Sequence, residues 1–414
     1  MRIFVWHGYL LAGTGSNVYT RQLTREWSRA GHEVTVFSQD PDPAQFDLGG
    51  AAAVRPDVHG LLPVFVLDEY PGYTVKLLRD CSRAELEAWV EANAATLRGR
   101  GGTDLVFANH VLLGGPVGAA SGSRYVVKAH GSELEYSMRG NEELSRWGGE
   151  ALADAAATFA GSEHIREVVA EVCGTVDGVH VVPPGVDVDL WRPRPRGEAL
   201  EGLVAEARRD PPNPGNANER LPDERNAERL ASFLAGERPT VVFYGKLMRN
   251  KGVHVLLEAL RGVDARCVVV GFGDSRAELE EAARGLDVLF AGPLEHRHLV
   301  HLLALADVSV VPSIFPEAFG MVAAESAAAG CPPIVADHSG LAEVADGLEA
   351  SYPAGLRELV RFPSGDADAL RERIEGVLAL GDAEREAIRG GARRAAVDRW
   401  SWSSVARRIL DVAA

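Results

Sequence analysis

Two glutamates, Glu317 and Glu325, stand eight residues apart in the segment 313–325, where a predicted buried strand ends and an alanine-rich helix begins. Ligands of open α/β sheets bind at the carboxyl ends of strands, so both carboxylates can project toward one sugar-sized ligand. The first N–H groups of the helix have no helical partner and can meet phosphate oxygens. They belong to Phe319, Gly320, Met321 and Val322. The alternative is surface charge for Glu317 and a helix-face carboxylate for Glu325.

A second pattern is the basic loop at 244–252, where Lys246 and Lys251 flank a short connection between a buried strand and a helix near Gly252. Lysine is a compact cation suited to a diphosphate, and a helix N-terminus adds partial positive charge. The loop therefore suits a diphosphate ligand. A solvated loop carrying three basic residues is the other interpretation.

A glycine-rich turn at 13–17 joins the first predicted strand to the first helix, so its N–H groups can face an anion. A dinucleotide motif needs a glycine at position 18, which is Val18. Asp40 stands roughly where a ribose-binding acid would lie. NAD binding therefore stays open beside a plain tight turn.

His130 directly follows another predicted strand, in the run Lys-Ala-His-Gly-Ser-Glu at 128–133. A histidine at the carboxyl end of a strand faces the cleft between the domains of such folds, where it can act on a ligand. The alternative is a structural, hydrogen-bonded histidine.

Three Asp-x-Asp triplets, at 40–42, 187–189 and 366–368, could hold Mg²⁺ or Mn²⁺ under a diphosphate. Each borders a proline-rich turn or opens a helix, where aspartate is favoured as a cap. We interpret all three as structural and predict no metal site. The motifs of zinc peptidases and α/β-hydrolases are absent from the sequence.

Short β-rich runs alternate with longer helical runs, which predicts an α/β protein with two Rossmann-like domains. The predicted strands are 3–6, 34–37, 64–67, 105–108, 125–129, 157–160, 179–182, 240–244, 267–270, 288–290 and 308–311. The first domain is predicted at 1–195 and the second at 239–395, with a final helical segment at 396–414. Residues 196–238 are rich in charge, Pro and Asn, which predicts a polar linker or insertion without a core of its own.

The composition of the 414-residue chain is that of a folded protein of two or three domains, with 46% hydrophobic and 25% charged residues. Its net charge of −16 disfavours nucleic acid as a partner. Four cysteines without a CxxC pair indicate reduced thiols. No signal peptide and no uninterrupted run of 18 apolar residues is present, so we predict a cytoplasmic protein without a transmembrane segment.

In their order and spacing, these motifs resemble the retaining family 4 glycosyltransferases, which have the GT-B fold of two Rossmann-like domains facing a central cleft. The similarity covers nearly the whole chain. It is carried by AGHEVTVFS, HGSE, GSEHI, VVPPGVDVDLWRP, GKLMRNKG, VGFG and PEAFGMVAAE. The pair Glu317 and Glu325 matches the hallmark element of that family.

The resemblance implies that an NDP-sugar binds mainly to the C-terminal domain. Glu325 would hydrogen-bond the ribose and Glu317 the sugar hydroxyls. Lys246, Lys251 and the N–H groups of Phe319, Gly320, Met321 and Val322 would hold the diphosphate. The loop 292–294, including Leu294, would contact the base.

The resemblance further implies an acceptor-binding N-terminal domain, in which Gly15 approaches the donor phosphate and His130 lies near the anomeric carbon. The final helix would cross back onto that domain. Three departures stand out. Lys246 replaces the usual arginine, the segment 196–238 is long, and the segment 346–362 is expanded. We predict that neither segment contacts the motif residues, so that shortening 196–238 leaves donor binding intact.

The expected function is the metal-independent transfer of a sugar from an NDP-α-sugar, with UDP or GDP as the nucleotide, to form an α-glycoside. No cluster of basic and aromatic residues marks the N-terminal domain for a lipid surface, which favours a small soluble acceptor, such as a natural-product intermediate. Two alternatives stay open: an NAD-dependent oxidoreductase, and a non-catalytic partner protein that binds nucleotide sugars.

Overall fold

The computed structural model describes residues 1–13, 15–65, 70, 72–174 and 177–414. The chain divides into two compact units. The N-terminal unit comprises Met1–Gly185 and Trp402–Ala414, and the C-terminal unit comprises Val186–Ser401. The sequence predicts a boundary at 195, ten residues later than the structure has it. The reason is that Val186 N–H donates to the Trp400 carbonyl at 2.6 Å, which ties the connection to the C-terminal unit.

The described residues of the N-terminal unit form nine parallel strands. They are β1 (Arg2–Trp6), β2 (Glu33–Phe37), β3 (Ala52–Val54), β4 (Leu61–Val64), β5 (Thr74–Leu77), β6 (Leu105–Asn109), β7 (Tyr125–Lys128), β8 (Thr158–Ala160) and β9 (Val179–Val181). Seven form one sheet in the order β3-β2-β1-β6-β7-β8-β9, and β4 pairs with β5. The strand predicted at 64–67 lies at Leu61–Val64 instead, and residues 66 and 67 are outside the described residues.

In the described residues of this unit, five α-helices precede the connection to the second unit. They are α1 (Ser16–Arg29), α2 (Arg83–Arg98), α3 (Gly114–Ala120), α4 (Glu142–Ala153) and α5 (Glu163–Cys173). Side-chain caps fix where three of them begin: Ser82 with Glu85 at α2, Asn141 at α4 and Ser162 at α5. The inner face of α1 carries Tyr19, Leu23 and Trp27, which are buried.

The C-terminal unit is built on six parallel strands. They are β10 (Thr240–Tyr244), β11 (Arg266–Val270), β12 (Val288–Phe290), β13 (Val308–Val311), β14 (Pro333–Ala336) and β15 (Arg361–Phe362). Their order is β12-β11-β10-β13-β14-β15. The central strands β10 and β13 are nearly continuous apolar runs because helices cover both faces of such a sheet. The carboxyl ends of β10 and β13 lead into the two candidate loops.

Nine helices belong to this unit. They are α6 (Arg196–Ala207), α7 (Asn226–Phe233), α8 (Val253–Ala259), α9 (Arg276–Ala282), α10 (His296–Leu305), α11 (Met321–Ala328), α12 (Ser339–Glu349), α13 (Ala367–Leu378) and α14 (Asp382–Ala395). None of the helices in the described part of the chain is long and apolar enough to cross a membrane.

The segment 196–238 is folded into the C-terminal unit rather than forming a polar linker. Helix α6 packs against α10 and α7, and Leu203 and Leu230 are fully buried in the core of the unit. Charged residues of this segment bind to the rest of the unit: Glu206 and Asp210 form ion pairs with Arg297 of α10. A composition rich in charge, Pro and Asn therefore did not mean that this segment lacks a folded structure.

The last helix, α15 (Trp402–Ala413), belongs to the N-terminal unit. It packs on α1, and the Trp27 indole Nε1–H donates to the Ala406 carbonyl at 3.0 Å. The sequence predicts a crossing segment from 396, whereas in the structure the part that joins the N-terminal unit begins at Trp402.

Candidate active site

Two loops at the carboxyl ends of β10 and β13 interlock. Ile314 N–H and the Ser313 hydroxyl both donate to the Asn250 carbonyl, at 2.9 and 3.2 Å. Gly252 has a φ of +70°, and a Cβ there would lie 1.8 Å from the Pro312 carbonyl oxygen. Only glycine fits this position, which holds the basic loop and the glutamate loop in a fixed relation.

Lys251 and Glu317 form an ion pair, with Nζ 2.5 Å from Oε1. Their side chains are only partly exposed, at 31% and 22%. The sequence predicts both as site residues but not their direct contact. Lys246 is exposed and forms no ion pair with the described residues. The site thus presents two cations: Lys251, which is paired with Glu317, and Lys246, which is not paired with a carboxylate of the described residues.

The backbone at Glu317 is held by the start of α12. Glu317 N–H donates to the Ser339 hydroxyl at 2.9 Å, and Gly340 N–H donates to the Glu317 carbonyl at 3.0 Å. His338 Nε2–H donates to the Ser313 carbonyl at 2.7 Å, so its Nδ1 accepts from the Ser339 hydroxyl at 2.9 Å. Sequence reasoning missed these residues, although their place directly after β14 is the signal that could have found them.

The N-terminus of α11 leaves backbone donors free for an anion. Gly320, with a φ of +106°, precedes the helix, and its carbonyl accepts from Ala323 N–H at 3.0 Å. The N–H groups of Met321 and Val322 lie before any helical acceptor. The Phe319 side chain is buried against Trp400, at 5.9 Å between ring centroids, so Phe319 offers its backbone rather than its ring.

Glu325 lies in α11 beside Tyr244, the last residue of β10. The Tyr244 hydroxyl donates to the Val322 carbonyl at 2.7 Å and lies 3.4 Å from Glu325 Oε2. Burial raises the pKa of Glu325 to about 8, against the opposing effect of the Tyr244 hydrogen bond. The carboxyl is therefore mostly protonated at neutral pH in the ligand-free protein. Tyr244 is a site residue that sequence reasoning missed.

The loop expected to contact a base is shaped by residues outside the predicted motifs. Leu294 is buried, so its side chain packs in the core. Asp223 N–H donates to the Ala291 carbonyl at 3.1 Å, directly before Gly292. A Cβ at Gly292 would lie 2.5 Å from Asp223 Oδ1, so the segment 196–238, to which Asp223 belongs, contacts the loop 292–294. The prediction that this segment stays clear of the motif residues is therefore wrong.

In the N-terminal unit, His130 lies after β7 as predicted. Its Nε2 is 2.8 Å from Asn109 Oδ1, and Asn109 Nδ2 donates to the Trp6 carbonyl at 3.0 Å. The amide is thereby oriented so that His130 Nε2 carries the proton and Nδ1 is left as an acceptor. Burial, with smaller effects from His110 and Lys128, lowers the pKa of His130 well below its usual value.

Glu133 organises the backbone and rings around His130. Its Oε1 accepts the N–H groups of His130 and Val111, at 2.9 and 3.3 Å, and its Oε2 lies 3.3 Å from His110 Nδ1. Burial alone would raise the pKa of Glu133, but His110 and these hydrogen bonds hold it below its usual value. His110 Nε2 is buried and has no hydrogen-bond partner among the described residues. The sequence motif contains Glu133 but did not show this role.

Gly15 precedes α1 with a φ of +60°, and Thr14 beside it lies outside the described residues. Asp40 does not present a free carboxylate at this turn. Its Oδ2 accepts from Leu11 and Ala12 N–H, at 2.9 and 3.3 Å, and its Oδ1 accepts from Asp42 N–H at 3.0 Å. Asp40 thus holds its own loop, which removes the main support for an NAD-binding acid.

The other two Asp-x-Asp triplets have the structural roles that the sequence predicts. Asp187 accepts from Leu190 N–H at 3.0 Å, and Asp366 caps α13 by accepting from Ala369 N–H at 2.9 Å. Within the described residues, no group of three or more His, Cys, Asp or Glu side chains is arranged to hold a metal ion.

Two family models match the chain, one to each half. Residues 13–190 match the model of Glycosyltransferase Family 4, and residues 224–394 match that of Glycosyl transferases group 1. A D-inositol 3-phosphate glycosyltransferase of Xylanimonas cellulosilytica is 30% identical over 427 residues, which cover 96% of this chain and 91% of the relative. The chain therefore belongs to the family 4 glycosyltransferases and is a glycosyltransferase.

Further relatives and solved structures of similar proteins are also sugar-transferring enzymes or have the same fold. A GDP-mannose-dependent alpha-(1-6)-phosphatidylinositol monomannoside mannosyltransferase of Mycobacterium tuberculosis is 29% identical over 70% of each chain. Sucrose-phosphate synthase from Thermosynechococcus elongatus has a TM-score of 0.61 at 22% identity, covering 99% of this chain and 98% of its own. Anabaena HepE, solved with UDP and glucose, has a TM-score of 0.64 at 17% identity with the same coverage. The fold is that of the GT-B enzymes.

Proposed function

We propose that this glycosyltransferase moves a sugar from an NDP-α-sugar to a small soluble acceptor, with retention of configuration and without a metal ion. The observation that carries the proposal is the Lys251–Glu317 ion pair in the loops before α8 and α11. It supplies a cation for the diphosphate and a carboxylate for the sugar in one place. Departure of the nucleoside diphosphate builds negative charge, which prearranged cations and N–H groups stabilise.

The donor contacts follow from the chemistry of each group. Lys246 and Lys251 neutralise the diphosphate together with the N–H groups of Met321 and Val322. Glu317 accepts hydrogen bonds from sugar hydroxyls, and Glu325 accepts them from the ribose. A lysine at 246 keeps the charge of an arginine but binds phosphate as a point charge rather than through two parallel hydrogen bonds.

UDP or GDP is the nucleotide we propose. One similar enzyme is named for its dependence on GDP-mannose, and one similar structure holds UDP. The backbone of 292–294 is the base-contacting element in this proposal, because the Leu294 side chain is buried.

A polyhydroxylated small molecule is the acceptor class that the N-terminal unit favours. His130 Nδ1 is left as an acceptor by the Asn109 contact, and His110 Nε2 lacks a partner among the described residues. An unprotonated ring nitrogen such as His130 Nδ1 accepts hydrogen bonds from hydroxyl groups. A relative named for D-inositol 3-phosphate agrees with such an acceptor.

The four cysteines are unpaired, which supports a cytoplasmic enzyme.

The stereochemical part of the proposal is tested on the product itself. The purified enzyme is incubated with UDP- or GDP-hexoses and inositol phosphates or other polyols, and the anomeric proton of the product is recorded by NMR. An α-glycoside from an α-linked donor supports retention. A β-glycoside contradicts it.

Chelation of divalent ions is expected to leave activity unchanged. The lysines and the helix N-terminus already supply positive charge at the diphosphate, so EDTA should not lower the transfer rate and added Mn²⁺ should change it little. Initial rates with EDTA, and with EDTA followed by Mn²⁺, measure this. Complete loss that Mn²⁺ restores would make one Asp-x-Asp triplet a metal site.

Donor affinity is expected to rise with pH and to level off above pH 8. Ribose hydroxyls donate to an ionised Glu325, whose pKa in the empty protein is about 8, so binding must first remove a proton. Below pH 8 the apparent Kd should therefore fall by up to about tenfold for each unit of pH increase. The measurement is calorimetric titration with an intact nucleotide sugar, whose diphosphate diester does not titrate in this range.

Glu325→Gln is the control for this pH dependence, because glutamine keeps the size of the side chain and cannot ionise. Its donor affinity should be nearly independent of pH between 6 and 9. An equal slope in both proteins would show that another group titrates.

A further inference from the structure

Asp223, in the segment between α6 and α7, is a buried carboxylate with two arginine partners. It is only 4% exposed. Arg276 of α9 binds it in parallel, Nη1 to Oδ1 at 2.8 Å and Nη2 to Oδ2 at 2.5 Å, and Arg229 of α7 lies 3.4 Å from Oδ2. A bidentate pair of this kind fixes direction as well as distance. Asp223 is thus held rigidly between two helices.

Asp223, Arg229 and their neighbour Asn226 bind the backbone carbonyls at the end of β12. This strand leads into the loop 292–294, called the base loop below. Asp223 N–H and Asn226 Nδ2 both donate to the Ala291 carbonyl, at 3.1 and 2.7 Å. Arg229 Nη2 donates to the Phe290 carbonyl at 2.7 Å. Three donors from one short segment therefore determine where the chain leaves β12.

Gly292 follows directly and is in close contact with Asp223. It has a φ of +67°, and a Cβ there would lie 2.5 Å from Asp223 Oδ1. Because neither group can approach further, the carboxylate sets the path of the backbone into 293 and 294. The contact explains why glycine occupies this position.

The Gly292 backbone in turn connects to the lysine loop. The Gly292 carbonyl accepts from Gly271 N–H at 2.9 Å, and the Phe272 carbonyl accepts from Leu247 N–H at 2.8 Å. Leu247 is the neighbour of Lys246. The Asp223 contacts thus act directly on the base loop and reach the diphosphate cations only through two further backbone steps.

We propose that Asp223 and Arg276 are positioning residues that hold the backbone of 291–294 in place for the nucleotide base, and thereby set donor affinity without touching the reacting groups. The inference rests on the proposed function, since it takes 292–294 as the base contact. It gives the segment 208–229 a role in donor recognition. Shortening that segment is accordingly expected to weaken nucleotide binding.

Asp223→Asn tests the proposal, because it keeps the shape and removes the charge that holds both arginines. The probes are UDP and GDP, which carry a base, and inorganic pyrophosphate, which does not. For whichever nucleotide the unaltered enzyme binds, the variant should raise the Kd by roughly tenfold. Its Kd for pyrophosphate should stay within twofold, and in turnover the donor KM should rise while kcat at saturating donor stays within about threefold.

Glu224→Gln is the matched control in the same segment, since Glu224 accepts from Gly215 N–H at 2.8 Å instead of contacting the base loop. It should bind both probes like the unaltered enzyme. If Asp223→Asn does not fold, Arg276→Lys replaces it, because it keeps the charge and loses the bidentate geometry; the same split between probes is expected.

Unchanged nucleotide affinity, or an equal loss for nucleotide and pyrophosphate, would overturn the positioning role. Failure of the proposed function has a different signature, in which the unaltered enzyme itself binds neither UDP nor GDP.

Discussion

Lys251→Ala is expected to lower kcat by about 10²–10³-fold, because it removes a cation beside a leaving group whose charge grows in the transition state. The nucleoside diphosphate already carries charge in the ground state, so its Kd should rise as well. Initial rates at saturating donor and calorimetric titration with the free nucleotide measure the two effects separately.

Arg249→Ala is the control for loss of charge alone. Arg249 lies two residues away in the same turn, is exposed, and is 3.8 Å from Glu278 rather than from a site carboxylate. We expect less than about a threefold change in kcat, in line with the small energies of exposed ion pairs. An effect as large as that of Lys251→Ala would assign the loss to general electrostatics.

Glu317→Gln should lower kcat without raising the nucleotide Kd, unlike Lys251→Ala, although the two side chains are in contact. The change removes the charge opposite the sugar, so kcat should fall. The free nucleotide lacks the sugar, and Lys251, released from its 2.5 Å ion pair, stays available to the diphosphate. Nucleotide Kd should therefore stay unchanged or fall slightly. If nucleotide binding weakens as much as in Lys251→Ala, Glu317 does not lie on the sugar.

Gly252→Ala is expected to destabilise the protein by about 3 kcal/mol or more and to abolish transfer. The substitution combines an unfavourable positive φ with a Cβ placed 1.8 Å from the Pro312 carbonyl oxygen, so the backbone of one loop must move. That movement separates Lys251 from Glu317. Thermal unfolding and the transfer rate at a temperature where the variant is folded report the two consequences.

Gly262→Ala provides the comparison that isolates the clash. Gly262 has a φ of +87°, and a Cβ there would meet nothing within 4 Å. Only the conformational strain remains, about 1 kcal/mol, and activity should persist. Equal stability losses in the two variants would mean that the contact with Pro312 does not constrain the loops.

Much of the fold follows from the sequence because its central strands are buried on both faces. Runs such as 240–244 and 308–311 are nearly continuous apolar segments that precede helical periodicity, and the structure has strands there. Strands β3, β5, β14 and β15 were not predicted. Of these, β3 and β15 are short and lie at sheet edges, β5 pairs with β4 outside the main sheet, and β14 is an inner strand that begins with Pro333. The segment 196–238 was misjudged because its charged residues bind inward to Arg297 and Arg276.

The candidate site was predictable as a set of residues but not as a set of contacts. Position after a strand was enough to single out His130, Lys251 and Glu317. Their partners come from distant parts of the chain: Ser339 holds the backbone of Glu317, and Asn109 orients the ring of His130. Such pairings depend on strand order, which local patterns do not encode.

The proposed function depends most directly on binding of a nucleoside diphosphate to the C-terminal unit. We would measure the thermal stability of the full chain with UDP, GDP, ADP, their hexose conjugates and NAD. UDP or GDP is expected to stabilise the protein by about 2.7 kcal/mol at 100 times its Kd, and Lys251→Ala should lose most of this effect at the same concentration. Stabilisation by NAD, with none by any nucleoside diphosphate or nucleotide sugar, would contradict the proposed function.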